Sequence, residues 1–215
     1  MKQHHLTVTR TARYYTLGEL TPQTERVWFC LHGFGQLAQY FSRKFTGLDD
    51  GRTLVVVPEA LSRFYLNGEY NRIGASWLTR EDRDAEIGDF IGYLNALADA
   101  VLAGAAAPLH TTLLGFSQGA ATACRWLDNG HLRADRLLLW AGYFPNGLTD
   151  VIDVRKLAGV ETHYVYGRRD EYIERMDDAD GYLNRLTTDL PTLRLTAFDG
   201  GHTVDPAVLN TLAAR

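Results

Sequence analysis

Residues 112–119 of the chain read TLLGFSQG, an apolar run that leads directly into the pattern Gly115-x-Ser117-x-Gly119. This pattern is typical of a nucleophile elbow, a sharp turn between a strand and a helix that lifts a serine hydroxyl above the edge of a parallel sheet. A glycine two residues to either side of the serine leaves room for the strand and the helix to approach each other. The stretch therefore predicts a strand, a strained turn at Ser117 and a helix that begins at Gln118.

Short apolar runs alternate with longer amphipathic stretches along the rest of the chain. The strand-sized apolar runs are residues 27–31, 54–57, 112–116, 137–140, 163–166 and 193–198. The helix candidates between and after them are residues 37–45, 82–102, 118–127, 176–189 and 206–214. Most of the runs are apolar on both faces, which is typical of strands covered by helices on each side. Together with the elbow, this alternation predicts an α/β-hydrolase fold with a mainly parallel central sheet and helices on both faces.

The length and the first residues complete the predicted architecture. Residues 5–9 and 14–18 alternate apolar and polar side chains, which predicts an N-terminal β-hairpin. A length of 215 residues suits one domain, so we expect a single α/β-hydrolase domain over residues 1–215 with no large cap domain.

The composition argues against several classes of protein. The formal net charge is −4 and the basic residues form no run of five, so nucleic-acid binding is not expected. Cys30 and Cys124 cannot build a disulfide framework and lack metal-site spacing, so we expect buried thiols, no metal and no cofactor. Residues 1–10 lack a signal-peptide core, and no apolar run approaches the roughly 20 residues of a membrane span. We therefore expect a cytoplasmic protein without stable membrane insertion.

A serine hydroxyl is a weak nucleophile, so the predicted elbow requires a general base. In this fold the order along the chain is serine, acid and histidine, which disfavours the histidines that precede Ser117. Of the later ones, His131 is expected to point away near the end of the helix after the elbow, and His163 lies inside an apolar run. His202 follows the last apolar run and a glycine pair, at the carboxyl end of a predicted strand. His202 is therefore the predicted base.

The base needs a carboxylate that holds its tautomer and stabilises the imidazolium. Asp170 lies just beyond the penultimate apolar run and is the predicted acid. Asp199 is the nearest rival, but it lies only three residues before His202, where the loop would have to fold tightly back on itself. Asp153 and Glu171 also stay open as alternatives.

Acyl transfer further needs hydrogen-bond donors that are aimed at the developing oxyanion. The first predicted donor is the backbone N–H of Gln118, the residue after the nucleophile. The first predicted parallel strand ends in His32-Gly33-Phe34-Gly35, a turn suited to presenting a backbone amide, so the N–H of Phe34 is the second predicted donor. The alternative is a strand-to-helix turn with no catalytic part.

Taken together, these motifs resemble the phospholipase/carboxylesterase family of α/β-hydrolases, which includes acyl-protein thioesterases. The similar segments are Leu31–Gly35, Leu114–Ala120, Ala141–Pro145, Tyr166-Gly167 followed by Asp170, and Gly201-His202, within a resemblance that covers roughly residues 25–215. The resemblance implies hydrolysis of carboxylic esters or thioesters by a small, mostly lidless enzyme that needs no metal. Gln36 stands where the family pattern has an aspartate, and the segment after Val57 lacks proline-rich character. Both departures argue against long-chain or protein-linked acyl substrates.

Residues 58–81 form the longest stretch without clear periodicity, and such a stretch in a compact domain is often functional. We expect an ordered loop that packs over the site and forms part of an apolar acyl pocket. The aromatic residues predicted to line this pocket are Phe64, Tyr65, Tyr70, Trp77 and, from a later loop, Tyr143. The alternative is that the loop aromatics cover the core.

The sequence thus predicts a carboxylesterase-type serine hydrolase that forms an acyl-enzyme on Ser117 and acts on small or short-to-medium acyl esters or thioesters. Two alternatives stay open: a hydrolase-fold protein that binds a ligand with little turnover, and an acyl-protein thioesterase or lysophospholipase. The expected partner is a small-molecule ester or thioester, and a homodimer is compatible with the sequence.

Overall fold

The structure is a computed structural model that describes residues 1–214. Its strands are β1 (Tyr14–Leu17), β2 (Arg26–Leu31), β3 (Thr53–Pro58), β4 (Ser62–Tyr65), β5 (Ile73–Ser76), β6 (His110–Phe116), β7 (Arg136–Trp140), β8 (Glu161–Gly167) and β9 (Arg194–Phe198). Its α-helices are α1 (Ala38–Phe41), α2 (Arg83–Leu102), α3 (Gln118–Asn129), α4 (Glu171–Glu174), α5 (Ala179–Asp189) and α6 (Pro206–Ala213). Short 3₁₀ helices span Ser42–Leu48, Leu148–Asp150 and Val154–Leu157.

Seven strands form the central sheet in the order β1-β3-β2-β6-β7-β8-β9. Only β1 runs antiparallel to its neighbour, and Tyr14 lies opposite Pro58. The other six strands are parallel, so their carboxyl ends meet along one edge of the sheet. The predicted α/β-hydrolase architecture is confirmed, and the described chain adds no large cap domain.

Each face of the sheet is covered by helices, and the central strands are buried at nearly every position. In β2, Phe29 and Leu31 face one core while Trp28 and Cys30 face the other, as the two-residue repeat of a strand requires. Helices α2, α3 and α5 pack on the first face, and α1, α6 and the 3₁₀ helix at Ser42–Leu48 pack on the second. The two cores hold the parallel strands in register and so fix the loops at their carboxyl ends.

The prediction of an N-terminal β-hairpin is wrong. Residues 14–17 do form a strand, but residues 1–13 contain no strand in the described chain. The open edge of β3 supplies a complete set of hydrogen-bonding groups for β1, so β1 joins the central sheet instead of pairing locally. The preceding residues lie exposed and are tied down by side chains, among them Arg10, which donates to the carbonyl of Leu61.

Two other segments differ from the sequence expectation. Residues 58–81 contain the antiparallel pair β4–β5 and are therefore an ordered hairpin, here called the β4–β5 hairpin, where the sequence predicted an ordered loop. The helix predicted over residues 176–189 begins only at Ala179, because the Asp178 carboxylate accepts the N–H of Gly181 at 2.7 Å and caps the helix there. No helix of the described chain is both long and apolar enough to cross a membrane.

A buried carboxylate at the end of β3 joins three elements beside this hairpin. Glu59 is 1% exposed and accepts from Arg13 Nε at 2.7 Å and from Arg63 Nε at 3.0 Å. It also accepts the backbone N–H of Ala38 at 3.2 Å. The carboxylate therefore links the segment before β1, the first turn of α1 and the start of the β4–β5 hairpin.

Replacing Glu59 by alanine should lower the free energy of unfolding by about 2–3 kcal/mol. Arg13 and Arg63 stay partly exposed and can be hydrated in the variant. The loss of stability is therefore smaller than the cost of leaving a fully buried charge without a partner. Urea unfolding measures the change, and Glu19→Ala, which removes an exposed carboxylate, is the matched control with a change within about 0.5 kcal/mol. Equal stability of the two variants would contradict the linking role of Glu59.

Candidate active site

The predicted elbow lies between β6 and α3. Ser117 has φ +53° and ψ −117°, a backbone conformation that costs a non-glycine residue about 1–3 kcal/mol. The turn is held in place because the N–H of Ser117 donates to the carbonyl of Trp140 in β7 at 2.8 Å. The serine is only partly buried, so its hydroxyl stands at the carboxyl edge of the sheet.

The two glycines of the elbow are required by backbone contacts. A Cβ atom on Gly119 would lie 2.3 Å from the carbonyl oxygen of Leu31 in β2. A Cβ atom on Gly115 would lie 2.3 Å from the carbonyl oxygen of Gly119. Helix α3 therefore packs directly on the backbones of β2 and β6, as the pattern predicts.

Asp170 and His202 meet at the ends of β8 and β9. Asp170 is 1% exposed, and its Oδ2 lies 2.7 Å from His202 Nδ1. Its other oxygen, Oδ1, accepts the N–H of Tyr172 at 2.9 Å and caps α4, which orients the carboxylate. The carboxylate holds the proton on Nδ1, so Nε2 is left to accept a proton as a base must.

The other candidate acids lie elsewhere. Asp199 pairs with Arg169 at 2.6 Å, Asp153 pairs with Arg155 at 2.6 Å, and Glu171 is exposed on α4. Among the four carboxylates that the sequence left open, only Asp170 is hydrogen-bonded to His202.

The imidazole of His202 lies next to the elbow, between two aromatic rings. Its centroid is 4.9 Å from that of Phe116, the neighbour of the serine, and 4.7 Å from that of Tyr172. Ser117 Oγ makes no hydrogen bond to His202 in the described chain. Contacts of this kind are often long before substrate binds and shorten in the complex.

The loop after β2 lies against the nucleophile. A Cβ atom on Gly33 would be 3.2 Å from Ser117 Cβ, which places the next residue, Phe34, beside the serine. Within residues 1–214, the backbone N–H groups of Phe34 and Gln118 have no protein acceptor. Both are therefore unoccupied, and their role as donors to an oxyanion at Ser117 stays a prediction.

The buried His32 supports this loop. Its Nδ1 donates to the carbonyl of Gly33 at 2.8 Å, and its Nε2 accepts the N–H of Ala60 at 3.0 Å, an arrangement that requires the neutral imidazole. Burial lowers the pKa of His32 to about 4. Trp77 Nε1 donates to the carbonyl of His32 at 2.9 Å, so the loop is fixed from both sides.

Two glutamine side chains also hold the loop after β2 and the segment around Trp77 in place. Neither residue was assigned this role from the sequence. Gln36 Oε1 accepts the N–H of Gly33 at 2.9 Å, so an amide oxygen acts where the resembled family has an aspartate. Gln118 Oε1 accepts the N–H of Trp77 at 3.0 Å, and its Nε2 donates to the carbonyl of Leu78 at 2.7 Å. The departure at Gln36 was the only sequence signal for this network.

The aromatic residues predicted to line a pocket lie in different environments. Trp77 is 3% exposed and lies within the core, so the prediction that it lines an open pocket is wrong. It supports the loop after β2 instead. Phe64 is half-buried and stacks on Phe34 with centroids 5.1 Å apart. Tyr65 and Tyr70 are exposed and contact each other at 5.0 Å.

Two grooves open beside the triad. The groove of about 570 Å³ between α1 and the β4–β5 hairpin is called the hairpin groove, and its lining includes Gly35, Gln36, Tyr40, Phe41, Lys44, Leu66, Arg72 and Ile73. The groove of about 600 Å³ between α4, α5 and the loop after β7 is called the tyrosine groove, and its lining includes Tyr143, Tyr172, Arg175, Asp177, Asp178, Tyr182 and Arg185. Tyr143 is exposed there and stacks on Tyr182 at 6.0 Å.

A serine elbow, an imidazole–carboxylate pair and two free amides at the carboxyl edge of this sheet define an α/β-hydrolase. The family model described as "Serine hydrolase (FSH1)" matches residues 22–210. The chain therefore belongs to the FSH1 serine hydrolase family, and the resemblance to phospholipase/carboxylesterase-type α/β-hydrolases is confirmed.

Solved structures share the fold over nearly the whole chain. Zea mays acyl-protein thioesterase 2 superposes with a TM-score of 0.68 at 16% identity, covering 95% of this chain and 97% of that one. Esterase PE8 superposes with a TM-score of 0.60 at 21% identity, covering 95% of this chain and 97% of that one. Arabidopsis thaliana SOBER1 superposes with a TM-score of 0.60 at 15% identity, covering 89% of this chain and 97% of that one. At these identities the likeness establishes the fold. No curated protein matches the sequence significantly.

Gly119→Ala should lower the free energy of unfolding by about 3 kcal/mol, because the added methyl group meets rigid backbone carbonyls. Gly88→Ala is the matched control, since it lies exposed on α2 with no atom within 4 Å of the added Cβ and should stabilise by up to about 1 kcal/mol. Chemical denaturation compares the two variants. Similar midpoints would contradict the close packing of α3 on β2.

The burial of His32 predicts a loss of stability in mild acid. Because its folded pKa, about 4, lies below the unfolded value, the unfolded chain binds the proton first as the pH falls. This histidine should therefore cost up to about 3 kcal/mol of stability between about pH 6.5 and 4. Burial also lowers the pKa of His163, which adds to the same slope.

The dependence of unfolding free energy on pH in that window measures this effect. His32→Gln should flatten the slope relative to wild type, because the substitution removes the buried imidazole. A wild-type slope that persists in His32→Gln would show that His32 titrates normally.

Proposed function

We propose that this chain is a carboxylesterase-type hydrolase that cleaves carboxylic ester or thioester bonds through an acyl-enzyme on Ser117. The observation that carries the proposal is the 2.7 Å contact between Asp170 and His202 beside a serine held at φ +53°. A structural serine needs neither the strained turn nor a neighbouring imidazole with a buried carboxylate partner.

The proposed reaction has two acyl transfers. His202 Nε2 takes the proton from Ser117 Oγ as the oxygen attacks the carbonyl carbon, and Asp170 stabilises the imidazolium. The amides of Phe34 and Gln118 donate to the oxyanion. His202 then protonates the leaving alcohol or thiol, and a water molecule, deprotonated by the same imidazole, releases the acid and frees Ser117.

The proposed substrates are small molecules with short or medium acyl groups. The two grooves beside the triad are open and of moderate volume, which supports a ligand of that size. The proposed chemistry draws its base, acid and oxyanion donors from the chain itself, so no step requires a cofactor. Acyl-protein thioesterase or lysophospholipase activity is the alternative within the same mechanism.

Wild type should hydrolyse a series of p-nitrophenyl esters from acetate to palmitate, with its maximum at short or medium chains. Ser117→Ala should lower kcat by about 10⁴–10⁶-fold, because the acyl-enzyme can no longer form. Ser62→Ala in β4 is the matched control and should retain activity. The rate of p-nitrophenol release measures each, with circular dichroism to verify folding.

A fluorophosphonate probe gives a second measurement, since it should add one covalent label to wild type and none to Ser117→Ala. Wild type that is inert toward every ester, thioester and probe would overturn the hydrolase proposal in favour of the ligand-binding alternative. A maximum at palmitate would favour the thioesterase or lysophospholipase alternative.

A further inference from the structure

We infer that the hairpin groove binds an anionic group of the substrate, a carboxylate or a phosphate carried on an apolar spacer. The preferred esters would then bear a negative charge a few atoms from the scissile bond. This inference rests on the proposed function, because it assigns the substrate class of the same site.

The hairpin groove adjoins the catalytic residues along two lines of contact. Gly35 and Gln36 line it, and they continue the oxyanion loop whose Gly33 lies against Ser117. Phe41 forms its floor and stacks on Phe116 at 6.0 Å with an interplanar angle of 27°. The hairpin groove is therefore linked to the serine through the loop after β2 and through the contact between Phe41 and Phe116.

The groove carries two cations and no carboxylate. Lys44 Nζ donates to Thr203 Oγ1 at 3.1 Å, which holds the ammonium group beside the residue that follows His202. Arg72 stands on the opposite wall, where the loop of the β4–β5 hairpin enters β5. Within residues 1–214, neither cation forms an ion pair.

Other cations near the site differ in this respect. Arg63 is paired with Glu59, and Arg169 is paired with Asp199. The tyrosine groove contains two arginines but also Asp177 and Asp178, so its charges offset each other. The side chains that line the hairpin groove therefore carry a net positive charge, although its lining residue Asn71 donates to the carboxylate of Glu69 at 2.8 Å, and a net positive lining attracts an anionic ligand.

The surface between the two cations is apolar. Tyr40, Leu66 and Ile73 line the groove and are 57%, 39% and 47% exposed. A hydrocarbon spacer would cover these side chains, while its anionic end accepts charge-assisted hydrogen bonds from the ammonium and guanidinium groups. A neutral chain of equal length would cover the apolar side chains but would form no charge-assisted hydrogen bonds.

Matched esters test the inference. Wild type should show a kcat/KM at least about tenfold higher for mono-p-nitrophenyl glutarate than for p-nitrophenyl valerate, if the groove takes the acyl side. If it takes the leaving-group side, the same preference should appear for 4-butyryloxybenzoate over phenyl butyrate. Added NaCl should reduce the preference, because screening weakens an exposed charge contact.

Lys44→Gln and Arg72→Gln should each reduce this preference several-fold, and the double variant should abolish it. Arg133→Gln removes an exposed cation before β7, at the opposite edge of the sheet, and is the matched control for the change in net charge. A preference that is absent in wild type, or that survives in the double variant, would overturn the inference while the hydrolase proposal stands.

A binding experiment separates the inference from turnover. Calorimetry with Ser117→Ala should detect 4-phenylbutyrate or phenyl phosphate but not 4-phenylbutanol, and the two anions distinguish a carboxylate from a phosphate ligand. Adding Lys44→Gln and Arg72→Gln should remove the binding. If the esters are not hydrolysed at all, this result alone decides: charge-dependent binding supports the groove assignment, and equal or absent binding of all three probes overturns it.

Discussion

The packing of α3 against β2 and β6 leaves no room for a methyl group at Gly115 or Gly119, and the site depends on that contact. Because the helix starts so close to the strands, the connecting residue must reverse direction in a single step, and Ser117 takes the strained conformation. The strain persists because the core beneath the elbow, which includes the fully buried Trp126, is packed on both sides of the turn.

The loop after β2 is held by a different means, namely hydrogen bonds, of which the one to Gln36 is local and those with Ala60 and Trp77 reach far along the chain. His32, Gln36 and Trp77 each satisfy a backbone group of the loop or its neighbour, and the side chain of Gln118 fixes the segment that carries Trp77. Gln118, whose amide is one of the two proposed oxyanion donors, thus also anchors the segment that supports the loop of the other, Phe34. A site assembled from four loops needs such links, because each loop alone would be mobile.

The turn at Ser117 and the placement of Asp170 and His202 at the carboxyl edge of the sheet were predictable because their signals are local: a glycine-flanked serine after an apolar run, and polar residues just beyond two later runs. The β4–β5 hairpin was not, because β4 is only half-buried and β5 bridges through Ala75 to Gln36, which is distant in sequence. The N-terminal hairpin was predicted wrongly for the converse reason: residues 14–17 alternate correctly, but their partner is β3. The alternation of apolar and polar residues specifies which face of a strand is buried. Which strand it pairs with depends on the other strands of the sheet.

The antiparallel direction of β1 and the course of α6 bring the two ends of the chain out on opposite sides of the sheet. Tyr14 lies beside the carboxyl end of β3, so residues 1–13 leave the sheet on the side that bears Ser117 and His202. The last helix runs the other way, and the carbonyl of Leu212 accepts from Arg136 at the amino end of β7. A tag, a fused protein or a solid support attached at the C-terminal end would therefore leave the site open to bulk solution. The same attachment at the N-terminal end would crowd the entrance.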